Sequence, residues 1–296
     1  MSTKNTSIDE TPHPTDWVLL GLLSLIWGSS FILIKKSLLA TDYIQMASLR
    51  IGISTIALFP VLLVRWKKFE FDKISYVALS GLLGAGIPAY CYAFAQTHIN
   101  SSVAGILNTL TPIFTFIIGI LFFQSKFQSN KIIGLILGFL GAVLLIYQGD
   151  TEDSGNLNYA IFIVIGTMCY GFNANIIKRY FQHSDPILIS AMSFLIVGIP
   201  AITYLIFSNT IPQILSADSA RTSIAAIVTL SIMGTVIANI LYIKLAQSTN
   251  AVFASSVAYI MPVIALMWGF FDNEVINLIQ LVSFGVIIYG VYLIRK

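Results

Sequence analysis

Thr235, Asn239 and Tyr242 stand at i, i+4 and i+7 of one apolar stretch, and Asn108, Thr111 and Thr115 at i, i+3 and i+7 of another. Either spacing gathers its residues on one face of an α-helix. Trp27 with Ser30, and Tyr170 with Asn173, add two i, i+3 pairs. Polar side chains at membrane depth are expensive unless they face protein or water, so such stripes mark an inward face. Their chemistry is that of binding. Ring faces exclude water, while amides and hydroxyls fix the orientation of an amphipathic organic solute. Trp27, Ser30, Asn108, Thr111, Tyr170, Asn173, Asn239, Tyr242 and Tyr259 are the predicted substrate-binding residues of a central cavity. Interhelical hydrogen bonding without substrate contact is the structural alternative.

Two cations fall within apolar stretches. Arg50 lies about 10 Å below the start of its helix at ~1.5 Å per residue, which calls for a partner: a backbone carbonyl, a Tyr hydroxyl or an anionic group of the substrate. A structural anchor is the favoured reading, and Asp42, eight residues back, shares its face only loosely. Lys244 stands near a helix end, where its stem can snorkel to the interface. Gly86, Pro88, Pro112 and Pro262 are the predicted bending points, since Pro removes an internal hydrogen bond and Gly permits close approach.

Catalytic chemistry has no foothold in the sequence. No nucleophile with a base, paired carboxylates or metal-ligand cluster occurs at membrane depth, and no Walker-type phosphate loop is present. The thirteen acidic residues are all assigned to the tail, loops or helix ends, which leaves no buried carboxylate as a proton relay, and His98 is read as a solvated loop histidine. No catalytic residue, metal or cofactor is expected. The rival from another class is an intramembrane enzyme or a structural or sensory subunit.

The elements that must position these residues follow from composition. Apolar residues make up 57% of the 296, charged residues 10%, and mean hydropathy is +0.86; a soluble domain needs far more polar surface. At about 20 apolar residues per span, ten helices are predicted near 17–38, 43–64, 74–97, 101–123, 131–148, 158–178, 186–208, 221–247, 250–271 and 275–294. Residues 1–16 read as a disordered cytoplasmic tail rather than a signal peptide, and 149–157 as an external loop. Cys91 and Cys169 fall inside helices as reduced apolar side chains. With the N-terminus inside, Lys4, Arg65, Lys67, Lys68, Lys73, Lys126, Lys131, Lys178, Arg179, Arg295 and Lys296 face the cytoplasm, against Lys35, Lys36 and Arg221 outside. This bias predicts a multi-pass protein of the cytoplasmic (inner) membrane with both termini cytoplasmic. The basic run Arg65–Lys73 is a topology determinant, so the expected partners are the lipid bilayer and a small-molecule substrate, with no nucleic acid; a monomer or a homodimer is expected.

An internal repeat organises the chain. Trp27-Gly28, Lys35-Lys36 and Asp42 recur 143 residues later as Tyr170-Gly171, Lys178-Arg179 and Asp185. Gly84, Tyr92, Asn100, Ala104, Pro112 and Gly119 recur 150 residues later as Gly234, Tyr242, Asn250, Ala254, Pro262 and Gly269. Five spans per half is an odd number, so the halves, 17–148 and 158–296, are inverted with respect to each other. Inversion is the architecture of transporters, with the substrate site near the midplane between halves.

At these residues the sequence resembles the drug/metabolite transporter superfamily, in its ten-span EamA form with two EamA repeats. The resemblance rests on Trp27-Gly28-Ser29-Ser30-Phe31 with Lys35 following, Leu49-Arg50, and Leu107-Asn108-Thr109-Leu110-Thr111-Pro112. The second half supplies Ala246–Ala251, Tyr259-Ile260-Met261-Pro262 and Phe271–Glu274. Family members often place a Gly-Glu pair after the fourth span; Phe123-Gln124-Ser125-Lys126 stands there instead, and only the second half keeps an acidic residue, Glu274. The resemblance implies secondary transport of small organic metabolites, amino acids or amphipathic and cationic drugs, by export or exchange, with alternating access as the expected mechanism and export as the expected direction. A nucleotide-sugar or sugar-phosphate carrier is the close alternative, but it needs several buried cations for its phosphates.

Overall fold

A bilayer core offers no water to backbone N–H and C=O groups, so a spanning chain must satisfy them within each segment. The computed structural model, which describes residues 12–99, 101–147, 157–271 and 278–295, is helical almost throughout. In chain order the apolar helices are α1 (Pro14–Ser37), α2 (Tyr43–Lys68), α3 (Phe71–Ala95), α4 (Val103–Phe123), α5 (Ser129–Tyr147), α6 (Ala160–Tyr180), α7 (Pro186–Phe207), α8 (Ala220–Ser248), α9 (Ala251–Ile264) and α10 (Leu278–Ile294). Seven are long and apolar enough to cross a membrane, and α5, α9 and α10 contribute shorter apolar stretches. A short helix, Thr210–Ser216, precedes α8. The predicted ten-helix all-α architecture is the one observed.

Helix ends follow local chemistry. Asp42 caps α2 through Gln45 N (2.8 Å), and Gln45 returns the bond to Asp42 N (3.0 Å). Asp185, its repeat mate, accepts from Ile187 N (2.9 Å) with Pro186 in the first turn of α7. Both carboxylates sit where the helix dipole favours negative charge. Helix α1 begins at Pro14, so the last residues of the predicted tail are helical, and Asp16 is buried rather than solvated: it accepts from His13 N (2.8 Å) and Ser248 Oγ (2.6 Å). Lys4, Asn100, Asp150, Glu152, Asp153, Glu274 and Lys296 lie outside the described residues.

Repeat mates run antiparallel. Gly52 of α2 faces Ile202 and Leu205 of α7, while Thr55 faces Gly198 and donates to Phe194 O (2.8 Å). Along α5 the sequence Gly134, Gly138, Gly141 meets Ile294, Gly290 and Ile287 of α10 in descending order. The other contacts come in exchanged pairs: α4 packs on α6 as α9 packs on α1, and α3 packs on α7 as α8 packs on α2. A pseudo-two-fold axis therefore relates the halves, and α1 starts and α10 ends on one face, the terminal face. There Arg65 pairs with Asp185 (3.1 Å), and Glu70 pairs with Lys73 (2.7 Å) and accepts from Ser184 Oγ (3.1 Å). The Lys73 hydrogen bond holds the exposed Glu70 carboxyl below its usual range. Exposed Val18, Ile56, Leu63, Ile136 and Ile206 give the bundle an apolar exterior suited to lipid.

Two departures from regular helix matter for the site. Leu82–Gly86 in α3 and Ile232–Ile237 in α8 are π-helical turns, starting 150 residues apart. Gly84 and Gly234 sit within them, the first against Asn173 and the second against Ser30 Oγ. Pro88 follows the turn in α3, but Ala238 occupies the matching place in α8, so the proline is not what makes the turn. Helices α4 and α9 are also interrupted, at Thr109–Leu110 and at Ser256.

At the α5–α10 seam a methyl on Gly290 would lie 2.6 Å from Gly138 N and 2.8 Å from Gly134 O, backbone atoms that cannot yield, whereas Gly285 on the same helix has open space. Gly290→Ala is therefore expected to lose about 1–3 kcal/mol and Gly285→Ala nearly nothing, read as thermal unfolding in detergent. A second effect concerns Gln124, which ends α4 with φ 55°, a left-handed conformation favouring glycine; Gln124→Gly should raise stability by about 1 kcal/mol.

Candidate functional site: a central cavity between the repeats

A cavity of about 1030 Å³, counting its open part, lies between the halves and is lined by α1, α2, α3, α4, α6, α7, α8 and α9. Eight of the nine predicted binding residues line it: Trp27, Ser30, Asn108, Thr111, Tyr170, Asn173, Asn239 and Tyr242. Tyr259 does not. Its ring is fully buried against Gly138 and its hydroxyl donates to Leu135 O (3.0 Å). The break at Ser256 sets the face of α9, turning Val257, Ala258 and Met261 to the cavity and Tyr259 toward α5. Tyr259 is thus a packing residue.

The lining is built from repeat mates. Trp27 packs against Tyr242 (ring centroids 5.4 Å apart), and Tyr170, the mate of Trp27, packs against Tyr92, the mate of Tyr242 (5.8 Å). Trp27 Nε1 donates to Gly234 O (2.8 Å) inside the α8 π-turn, where widening to i→i+5 bonding frees a backbone carbonyl for side chains. Ser80 Oγ donates to Asn173 Oδ1 (2.6 Å) beside the α3 π-turn. Tyr92, which the polar-stripe pattern passed over, donates to Asn108 Oδ1 (2.5 Å); its 150-residue relation to Tyr242 was the signal that could have found it. Phe31, Phe194 and Met261 complete the apolar wall, and as ordinary hydrophobes they carried no signal.

Chemistry is less symmetric than shape. Thr235 and Asn239 on α8 correspond to Ala85 and Ala89 on α3, and Asn108 and Thr111 on α4 to Ala258 and Met261 on α9, all of them lining residues. Asn239 Nδ2 donates to Ser190 Oγ (3.0 Å) and Thr111 Oγ1 to Asn108 O (2.8 Å). The hydroxyls of Tyr170 and Tyr242 bond to none of the described residues. Arg50 enters the cavity from α2 and its Nε donates to Thr235 Oγ1 (2.7 Å). Asp42, committed to its cap, is not its partner. Lys244 is exposed and away from the cavity, on the outside of α8.

Three of the four predicted bending points adjoin irregular helix. Gly86 closes the α3 π-turn and Pro88 follows it, and Pro112 opens the second segment of α4, whereas Pro262 lies inside the continuous helix Val257–Phe271. Among the described residues no three His, Cys, Asp or Glu side chains gather as metal ligands. His98 stacks on Tyr159 (3.6 Å), a half-buried ring rather than a freely solvated one.

A largely apolar cavity with a few polar groups, set between two inverted five-helix repeats, with no domain outside the bundle among the described residues, defines a membrane transporter. Residues 15–147 and 157–296 each match the model of the EamA-like transporter family, and the chain belongs to that family. An uncharacterized transporter of Archaeoglobus fulgidus is 25% identical over 281 residues, 95% of this chain and 98% of that one. The uncharacterized inner membrane transporter YedA of Escherichia coli is 27% identical over 277 residues, covering 92% and 88%. The uncharacterized transporter YoaV of Bacillus subtilis is 24% identical over 258 residues, covering 85% and 87%. A protein crystal structure superposes with a TM-score of 0.73 at 13% identity over 95% of this chain and 96% of that one, a likeness of fold.

Removing the Tyr92 hydroxyl strands a buried amide oxygen, so Tyr92→Phe should lose about 1–3 kcal/mol. Tyr170→Phe, whose hydroxyl has no such partner among the described residues, should leave the unfolding midpoint nearly unchanged. Thermal unfolding of the two variants side by side checks the assignment.

Proposed function

We propose that the protein moves a small amphipathic organic solute across the cytoplasmic membrane by alternating access, the two repeats rocking about the central cavity. One observation carries this reading: the two ends of the bundle, related by pseudo-symmetry, are unequally closed. On the terminal face Lys178 Nζ donates to Thr249 O, Gln182 Nε2 to Gln247 O (2.5 Å), and Gln247 Nε2 to Phe181 O (2.5 Å) and Ser184 O (2.9 Å). These bonds tie the end of α6 to the turn between α8 and α9. On the opposite face the repeat mates are Lys35 with Ile99 and Leu39 with Thr97; Lys35, Leu39 and Thr97 are exposed, and no hydrogen bond joins these pairs among the described residues. The outer part of α1 packs instead on α8, with Ser223 Oγ donating to Lys36 O (3.0 Å).

With the Lys- and Arg-rich terminal face in the cytoplasm, this is an outward-open arrangement whose inner side is latched. The inner-membrane relative YedA supports that location. Gly86, Pro88, Pro112 and Pro262 are the bending points: at the first three, helix already irregular repacks with the least loss of backbone bonds, and at Pro262 the ring removes one bond of a regular helix. No Asp or Glu lines the cavity among the described residues, which supports exchange or facilitated movement over a cavity-borne proton relay. Export is the direction in keeping with the family resemblance.

The test is flux through purified protein in liposomes, using a panel of labelled aromatic amino acids and hydrophobic organic acids. At least one is expected to show saturable uptake that Asn239→Ala or Tyr242→Ala cuts tenfold or more while the variants stay monodisperse. Saturable flux that ignores both substitutions, or none with any solute, contradicts the reading.

A further inference from the structure

The cavity's rings and amides follow the pseudo-two-fold, but its charge does not. Arg50 on α2 has Ser193 on α7 as its repeat mate, and Ser193 is engaged with the backbone, donating to Val77 O (3.3 Å). Every other charged side chain of the described residues lies off the lining. A guanidinium carries five N–H donors in a planar fork. Of these, Nε is used by the neutral Thr235 hydroxyl (2.7 Å), and the two terminal nitrogens have no protein acceptor among the described residues. A cation at membrane depth ordinarily pairs with an acid or with backbone carbonyls; here it lines the same cavity as Trp27, Tyr92, Tyr170 and Tyr242.

We infer that Arg50 is the substrate's anchor and that the substrate is a carboxylate with an apolar, ring-sized body. The inference rests on the transport reading above and names its substrate class. A planar carboxylate accepts two parallel bonds from the free edge of the guanidinium, completing the donors that the described residues leave open on Arg50. A single cation neutralises one carboxylate and falls short of a phosphate dianion or a nucleotide. It repels cationic drugs, which removes them from the range of solutes the family resemblance implied. The body of the solute lies against the Trp27–Tyr242 and Tyr92–Tyr170 ring pairs, where apolar surface is replaced by apolar surface, and the Tyr170 and Tyr242 hydroxyls and Asn239 take its remaining polar groups. Because Arg50 belongs to one repeat only, the solute binds in a single orientation.

Four probes of one skeleton separate charge from shape: 3-phenylpropionate, 3-phenylpropan-1-ol, 3-phenylpropylamine and 3-phenylpropyl phosphate, each titrated against full-length protein in nanodiscs by thermal shift and tryptophan fluorescence. The carboxylate should bind at least tenfold more tightly than the other three. Arg50→Gln should abolish that preference while leaving affinity for the alcohol within threefold, and Arg50→Lys should restore part of it. Should Arg50→Gln fail to fold, the wild-type series decides alone. Equal or tighter binding of the alcohol, amine or phosphate, binding of no probe, or a preference that survives in Arg50→Gln overturns the inference. Counterflow of labelled probes in liposomes keeps the two readings apart. A carboxylate that binds through Arg50 but is not moved leaves the recognition standing and the transport reading fallen; equal movement of acid, alcohol and amine does the reverse.

Discussion

Inside a bilayer a polar group has no water to fall back on, and this constraint shapes the molecule from its caps to its cavity. Serine and threonine hydroxyls at membrane depth turn back on their own helices, as Ser24 does on Leu20 O (2.7 Å), Ser54 on Arg50 O (2.7 Å) and Thr115 on Thr111 O (2.8 Å), the usual refuge of a hydroxyl within a helix. Where a polar group is not turned back, it crosses between helices or faces the cavity. The carbonyl of Gly234 meets an indole, and Asn175 reaches Thr115 O (2.9 Å). At the cavity, the Arg50 fork and the Tyr170 and Tyr242 hydroxyls stay open among the described residues.

Inversion of the repeats turns this into a device with two ends. Antiparallel mates α2 and α7, and α5 and α10, form close-packed seams through Gly52, Gly198, Gly138 and Gly290, suited to act as frame. Five of the eight helices that line the cavity are irregular: α3 and α8 carry π-turns, α4 and α9 are interrupted, and α1 is broken at Ser29. Irregular helix backbone is a frequent mark of functional sites in helical proteins, and here it falls on helices that line the cavity. Symmetry supplies two related ways of closing, while the sequence differences between halves supply a polarity of chemistry.

Much of this was legible from the residues. Apolar stretches marked ten helices, constant offsets revealed the duplication, and an odd number of spans per half required inversion. Polar residues at helical spacing picked out eight positions that do line the cavity, because in a membrane a polar stripe has few other uses. The failures have physical causes. Tyr259 belongs to no polar stripe, and it is the predicted binding residue that the structure buries away from the cavity, against Gly138 of α5. Asp16 reads as a tail residue until Ser248, more than two hundred residues away, closes over it. The π-turns lie in ordinary apolar sequence, and only the pairing of Gly84 with Gly234 hinted that these two places are alike.

The central claim is that the two ends open in turn. It is tested most directly by pulsed electron–electron distance measurements on spin labels at positions 35 and 97 at one end and 182 and 247 at the other, in liposomes with and without a transported solute. Alternating access predicts reciprocal change: a population in which the 35–97 distance shortens as the 182–247 distance lengthens. Distances that stay fixed under every condition, or that lengthen together at both ends, would contradict it.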